Sequence, residues 1–192
     1  IFFGFWRNNM LRGERVGLRA IERDDLPLLR EWRNRPEYRR YFREYRELNV
    51  DHQKEWFEKT VLGDPRTVMF SIVELQTNRL LGVCGLCYID WINQSADFSI
   101  YIGIDNTYID RIYAPDASKT LIKFGFEELN LHRLWAEIYD FDEPKKQMFA
   151  VLNFTLDGKL RQTHWSEGAW HDSIFYSLLK TDISIDDQNS PV

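Results

Sequence analysis

Hydrophobic and polar positions change period repeatedly along the chain, and each change marks an element. Val16 to Ile21 reads as a strand. From Arg23 to Asn34, Leu26, Leu29 and Trp32 recur at helical spacing, and Pro36 limits that helix. Asp51 is placed to cap a second helix with Trp56, Phe57 and Val61 on its apolar face. Val68 to Leu75 and Leu80 to Ile89 are apolar runs joined at Thr77-Asn78, an antiparallel pair. From Ala96 to Ile102 the period is two, with Ala96, Phe98, Ile100 and Ile102 on one face and Asp97, Ser99 and Tyr101 on the other. Pro115 stands where a helix begins, and Ala117, Leu121, Phe124 and Leu129 carry it to Asn130. Leu134 to Asp140 alternates as a strand, with Trp135, Glu137 and Tyr139 sharing a face. A short helix, Glu143 to Val151, and two strands near 155–162 and 170–178 follow. The order β-α-α-β-β-β-α-β-α-β-β predicts an α+β fold on a mixed, mostly antiparallel sheet flanked by helices.

Composition narrows the function classes. With 192 residues, 44% of them hydrophobic, the chain can bury one sizeable core and is not disordered. The net charge of −5 gives no global basic field, so nucleic acid is not the expected partner. No apolar run is long enough to span a bilayer, so no membrane partner is expected. Two cysteines make no disulfide framework, and a reducing, cytoplasmic setting is expected. Cys84 and Cys87 form a C-x-x-C, but within a strand they point to opposite faces, and no metal site is expected. Residues 1–9 read as an upstream extension or residues added for expression. Residues 10–180 read as one domain, and 181–192 as a polar, frayed tail.

The stretches LRAIERDDLPLLREWRN, LLGVCGLCYIDW, ADFSIYIG, LIKFGFEELNLHRLWAEIYDFDE, LNFTLDGKLRQTHW and WHDSIFYSLL stand in this order. Together they resemble the GNAT superfamily of acyl-CoA-dependent N-acetyltransferases, closest to its ribosomal-protein N-terminal acetyltransferase branch. WRN at Trp32 to Asn34 also resembles the branch that acetylates nucleotide-linked amino sugars. The resemblance implies a V-shaped split between the strands at about 96–103 and 133–140, and acetyl-CoA as co-substrate. It implies that Ser99, Ile100, Tyr101 and Ile102 hold the pantetheine arm and the oxyanion. The turn Tyr108, Ile109, Asp110, Arg111, Ile112 and Tyr113 would hold the phosphates, with Asp142 beside it. The expected activity is acetyl transfer to a primary amine by direct attack in a ternary complex. The acceptor is a protein N-terminus, an amino sugar or a small amine, and a homodimer is compatible with the family.

Two features keep a second reading open. Asp110 and Ile112 fill positions where the family has small residues, and Asp110 and Asp116 add negative charge beside the expected pyrophosphate. Phe149 stands where a tyrosine acid is often found. A catalytically silent GNAT-fold ligand-binding or interaction module is therefore the alternative. Among titratable groups, Asp97 and Glu137 are candidate bases, Asp97 first, and Tyr101 and Tyr139 candidate acids. Trp32, Arg33, Asn34 and Tyr88 are the candidate acceptor-binding residues. His164 and His171 read as surface groups near the acceptor rim, and the arginines from Arg30 to Arg46 as a solvated, locally paired segment, with a grip on an acidic group of the acceptor left open by the interleaved Tyr38, Tyr41, Phe42 and Tyr45.

Overall fold

The computed structural model describes residues 10–186. The N-terminal nine residues and 187–192 lie outside the described part, so the reading of 1–9 as an extension falls outside it too. The strands are β1 (Leu11–Arg12), β2 (Val16–Ala20), β3 (Val68–Glu74), β4 (Leu80–Asp90), β5 (Ser95–Ile102), β6 (Arg133–Tyr139), β7 (Thr155–Ser166) and β8 (Ala169–Leu179). The helices are α1 (Leu26–Asn34), α2 (Pro36–Arg39), α3 (Val50–Trp56), α4 (Tyr113–Lys123), α5 (Glu143–Val151) and α6 (Lys180–Asp186). One eight-stranded sheet runs β1-β2-β3-β4-β5-β6-β8-β7, and every pairing is antiparallel except β5 with β6. No described helix is long and apolar enough to cross a membrane.

Period-two alternation loads both faces of the sheet. Cys84, Leu86, Phe98, Ile100 and Ile102 face α4 and α5 and are buried with Leu121, Phe126 and Phe149. Val83 and Tyr101, one residue out of phase, face α1 and α3 and are buried with Leu29, Trp32 and Phe57. Cys84 and Cys87 accordingly point apart: Cys84 is sealed in the first core, while Cys87 lies against Met69 on the other face. The turn from β2 into α1 is locked by Asp25, whose carboxylate takes both guanidinium nitrogens of Arg19 (2.7 and 2.8 Å) and the Ser71 hydroxyl (2.8 Å).

Several local details differ from the sequence pattern. Asn49, not Asp51, caps α3: its side chain accepts the His52 N–H at 2.8 Å. Pro36 ends α1 but opens α2, where a proline in the first turn costs no hydrogen bond. Pro115 sits at the third position of α4, because the helix starts two residues earlier at Tyr113. Both α3 and α4 run on into a wider π turn, Phe57–Leu62 and Phe124–Glu128. Of the stretch 181–192, residues 181–186 continue helix α6, which starts at Lys180. Gly103 closes β5 directly over α1: a Cβ there would collide with the Trp32 ring.

Candidate functional site

The sheet opens between its two middle strands. β5 and β6 pair only at Ser95–Arg133, Ala96–Leu134 and Asp97–Trp135. Beyond Asp97, β5 stays on β4 up to Ile102, while β6 follows β8 up to Tyr139. A V-shaped gap results, with Asp97 at its apex. Register decides which backbone groups face the gap. The Gly103 N–H donates to the Leu81 carbonyl (2.8 Å), and antiparallel pairs alternate. Asp97, Ser99 and Tyr101 therefore direct their amides at β4, and Phe98, Ile100 and Ile102 direct theirs into the gap. The Ile102 N–H is taken by the Tyr108 carbonyl at 2.8 Å. Ile100 is left as the strand residue with backbone polar groups turned to the open side. Ser99 and Tyr101 contribute side chains instead, to a cleft of about 490 Å³ shared with Cys87, Val83, Phe42 and Trp56.

Charged groups converge at the apex. The Asp97 side chain is 13% exposed, and burial pushes its carboxyl up to about 6 against the pull of Arg43 and Lys145. The Arg43 guanidinium reaches across the gap, 3.7 Å from Asp97 on β5 and 2.6 Å from Glu137 on β6. The other Glu137 oxygen accepts the Ser173 hydroxyl at 2.5 Å. Lys145, in the first turn of α5, lies 5.5 Å from the centre of the Tyr108 ring. Burial lowers its ammonium, while Asp142 and Asp97 oppose that shift. Asp142 caps α5 through the Lys145 N–H (3.1 Å) and accepts the Tyr108 hydroxyl at 3.1 Å. Burial raises the Asp142 carboxyl and takes the Tyr108 phenol well above its usual range.

Aromatic rings roof this arrangement. The segment from α2 to α3 crosses the gap, with Tyr41 stacked on Tyr108 at 4.2 Å and Phe42 edge-on to Tyr101 at 5.3 Å. Arg40 pairs with Glu167 in the β7–β8 hairpin (3.2 Å), so the strap is tied to both sides. Tyr101 is buried, and its phenol is pushed up to about 12. Tyr139 lies under His164 in a parallel stack at 3.7 Å, and burial raises its phenol as well.

The turn into α4 holds an arrangement the residue types alone do not reveal. The Asp110 carboxylate accepts the N–H groups of Ile112 (2.9 Å), Tyr113 (2.8 Å) and Ala114 (2.7 Å), the first free amides of the helix. Asp116 points the other way and accepts the N–H groups of Glu14, Arg15 and Val16 at 2.7–3.0 Å. Its charge is thus committed to the β1–β2 turn. Ile112 is half-exposed, and Pro115 lacks an N–H at a position with no partner within the helix. Beside this turn, between α4 and α5, runs a cleft of about 870 Å³ lined by Ile109, Arg111, Ile112, Lys119, Pro144 and Gln147, with Arg15 across from them.

The remaining sequence candidates are spread around the gap. Trp32 is fully buried under Gly103 and packs α1 to the sheet. Arg33 covers the Phe42 ring at 4.1 Å. The Asn34 amide clasps the backbone of Leu48 from both sides (2.7 and 2.8 Å), closing the base of the strap. Tyr88 is exposed, with φ of 50° at the irregularity in β4. His171 meets Asp140 at 3.1 Å on the rim. Arg43 stood in the sequence only as one arginine of a basic segment, not as a bridge between Asp97 and Glu137, and Lys145 went unrecognised. The alternation of arginines with Tyr38, Tyr41, Phe42 and Tyr45 carried a signal for the first; nothing in the Lys145-Lys146 pair marked the second.

A family model for an acetyltransferase (GNAT) domain matches residues 15–155. The uncharacterized N-acetyltransferase p20 of Bacillus licheniformis is 27% identical over 87% of this chain and 94% of its own length. YdaF of Bacillus subtilis, a candidate ribosomal N-acetyltransferase, is 30% identical over 55% of this chain and 57% of its own. Among solved structures, spermidine N-acetyltransferase from Vibrio cholerae, crystallised with CoA and spermine, superposes with a TM-score of 0.79. It is 23% identical and covers 87% of this chain and 96% of its own.

Proposed function

Because the chain belongs to the GNAT acetyltransferase family, with acetyl-CoA as co-substrate, we propose that it acetylates a small, cationic primary amine. The observation that carries this reading is the Asp97–Arg43–Glu137 bridge across the gap. Two carboxylates there already hold one cation, and an acceptor ammonium has the same charge. The curated relatives include spermidine N(1)-acetyltransferases, which supports an acceptor of this class. The pantetheine arm lies along β5, where the backbone of Ile100 is open to it. The Ile100 N–H is the donor for the thioester oxygen as it gains charge.

The transfer is a direct one within a ternary complex. The acceptor ammonium first gives one proton to solvent, which frees its lone pair; the amine nitrogen then attacks the thioester carbonyl carbon, the C–N bond forms, and the C–S bond breaks. The amine proton passes to Asp97 through a water, and a carboxyl held near 6 is ionised at neutral pH yet basic enough to accept it. Lys145, whose ammonium is made more acidic by burial, gives its proton to the departing thiolate. Glu137 holds Arg43 until the acceptor cation displaces it, and Tyr101 and Tyr139 shape the walls.

Steady-state kinetics across a panel of primary amines test the reading. Asp97→Asn is expected to lower kcat/KM by roughly 10²–10⁴-fold with unchanged acetyl-CoA affinity, and to remove the limb near pH 6. A variant that keeps that limb removes Asp97 as the base. The silent-module reading is favoured by one observation, the Asp110 carboxylate on the α4 amides. It predicts no acetyl-CoA binding at millimolar concentration.

A further inference from the structure

The N-terminal amides of α4 are already occupied by Asp110, at three distances between 2.7 and 2.9 Å. A phosphate arriving there must evict a carboxylate and then meet its charge. The cleft beside the turn offers another grip. Among the described residues, Arg15, Arg111 and Lys119 line it and enter no ion pair. The carboxylates around them are largely committed: Asp110 and Asp116 to backbone amides, and Glu143 to Lys146 at 2.6 Å. That leaves three unpaired cations against Glu14 in a single cleft of about 870 Å³, on a chain whose net charge is −5.

We infer that the phosphates of coenzyme A are held by the side chains of Arg15, Arg111 and Lys119, and not by the α4 amides, which Asp110 withholds. The inference rests on the acetyl-CoA reading above. The arginines offer forked donors that match phosphate oxygens, and the lysine a point charge. Side-chain cations at a partly open cleft are screened by salt far more than helix amides are, so affinity for acetyl-CoA is salt-dependent. Asp110 serves the fold as a resident cap, which Asn can keep and Gly cannot.

Calorimetric binding of two probes, acetyl-CoA and S-acetylpantetheine, tests this at low and high salt. The second probe carries the thioester and the pantetheine arm without the nucleotide phosphates. The double variant Arg111→Gln/Lys119→Gln is expected to bind acetyl-CoA roughly tenfold more weakly with a flattened salt dependence, and S-acetylpantetheine as the wild type does. Asp110→Gly is expected to tighten acetyl-CoA several-fold, with Asp110→Asn between it and the wild type, and S-acetylpantetheine again unchanged. Wild-type affinity and salt dependence in the double variant overturn the cation grip. An unchanged affinity in Asp110→Gly, with S-acetylpantetheine binding intact to show that the fold has survived, overturns the withheld amides. A wild type that binds neither probe overturns the acetyl-CoA reading itself, and the inference with it.

Discussion

The residue proposed as the base is also one that strains the fold. Asp97 is ionised at neutral pH in a place that disfavours charge, and its carboxyl stands at about 6. Its pKa in the unfolded chain is near 3.9, so the folded state binds the proton more tightly than the unfolded state does. That contribution to stability is fully present below about pH 4 and is lost as pH rises through 6. Two units correspond to about 3 kcal/mol, an upper bound for what a neutral isostere recovers. Asp97→Asn is therefore expected to melt higher than the wild type at pH 7 and to lose that advantage near pH 4. Thermal melts across that range check it, and equal melting temperatures at both ends would mean that the carboxylate sits in water. Strand alternation put Asp97 on one face with Ser99 and Tyr101, and only the place of its strand in the resembled family ranked it above Glu137 as a candidate base. Lys145 was invisible at this scale. Its environment is built by Tyr108, Asp142 and Asp97, which come from three different segments.

At the scale of elements, the segment between α2 and α3 does more than connect them. Tyr41 and Phe42 close over Tyr108 and Tyr101, while Arg43 and Arg40 tie the strap to β6 and to the β7–β8 hairpin. An acceptor cation bound between Asp97 and Glu137 must displace Arg43. Replacing Arg43 by Ala removes the positive charge that draws the Asp97 carboxyl downward. The acid limb of kcat/KM is expected to move above pH 6, and amide exchange in residues 40–48 to quicken. A limb that stays in place would show that Arg43 and Asp97 do not interact in solution. The elements themselves were legible because their periods are unambiguous: the alternation from Ala96 to Ile102 and the Leu26-Leu29-Trp32 face each admit one reading. What was not legible was tertiary. The arginine-rich strap read as a solvated surface because charge runs usually are, and only its contacts across the gap reveal a closure. Asp110 read as a charge opposing phosphate, whereas its position three residues before the start of α4 turns it into the helix's own anion.

For the whole molecule, the decisive feature is how weakly the sheet is joined at its middle. β1 to β5 form one ladder and β6 to β8 another, and three residue pairs connect them. The rest of the union comes from side chains: α4 and α5 bury Leu121, Met148 and Phe149 against strands of both halves. The β-α-α-β-β-β-α-β-α-β-β order made the mixed sheet legible; the split at its middle came only from the family resemblance, and nothing in the sequence announced that the strap would roof the gap. A coenzyme thread laid on Ile100 with its phosphates between Arg15, Arg111 and Lys119 touches β5, the β1–β2 turn and α4 together. Ligand binding to the folded state alone therefore has to appear as stability of the whole. At a hundredfold excess over Kd, acetyl-CoA adds about 2.7 kcal/mol, equal to a rise in melting temperature of about 5–10 °C for a domain of this size. The rise is expected in one cooperative transition, because the two cores share β4 and β5 as opposite faces of the same strands. A second transition that acetyl-CoA leaves in place would mean that β6 to β8 unfold separately from the ladder that carries the coenzyme.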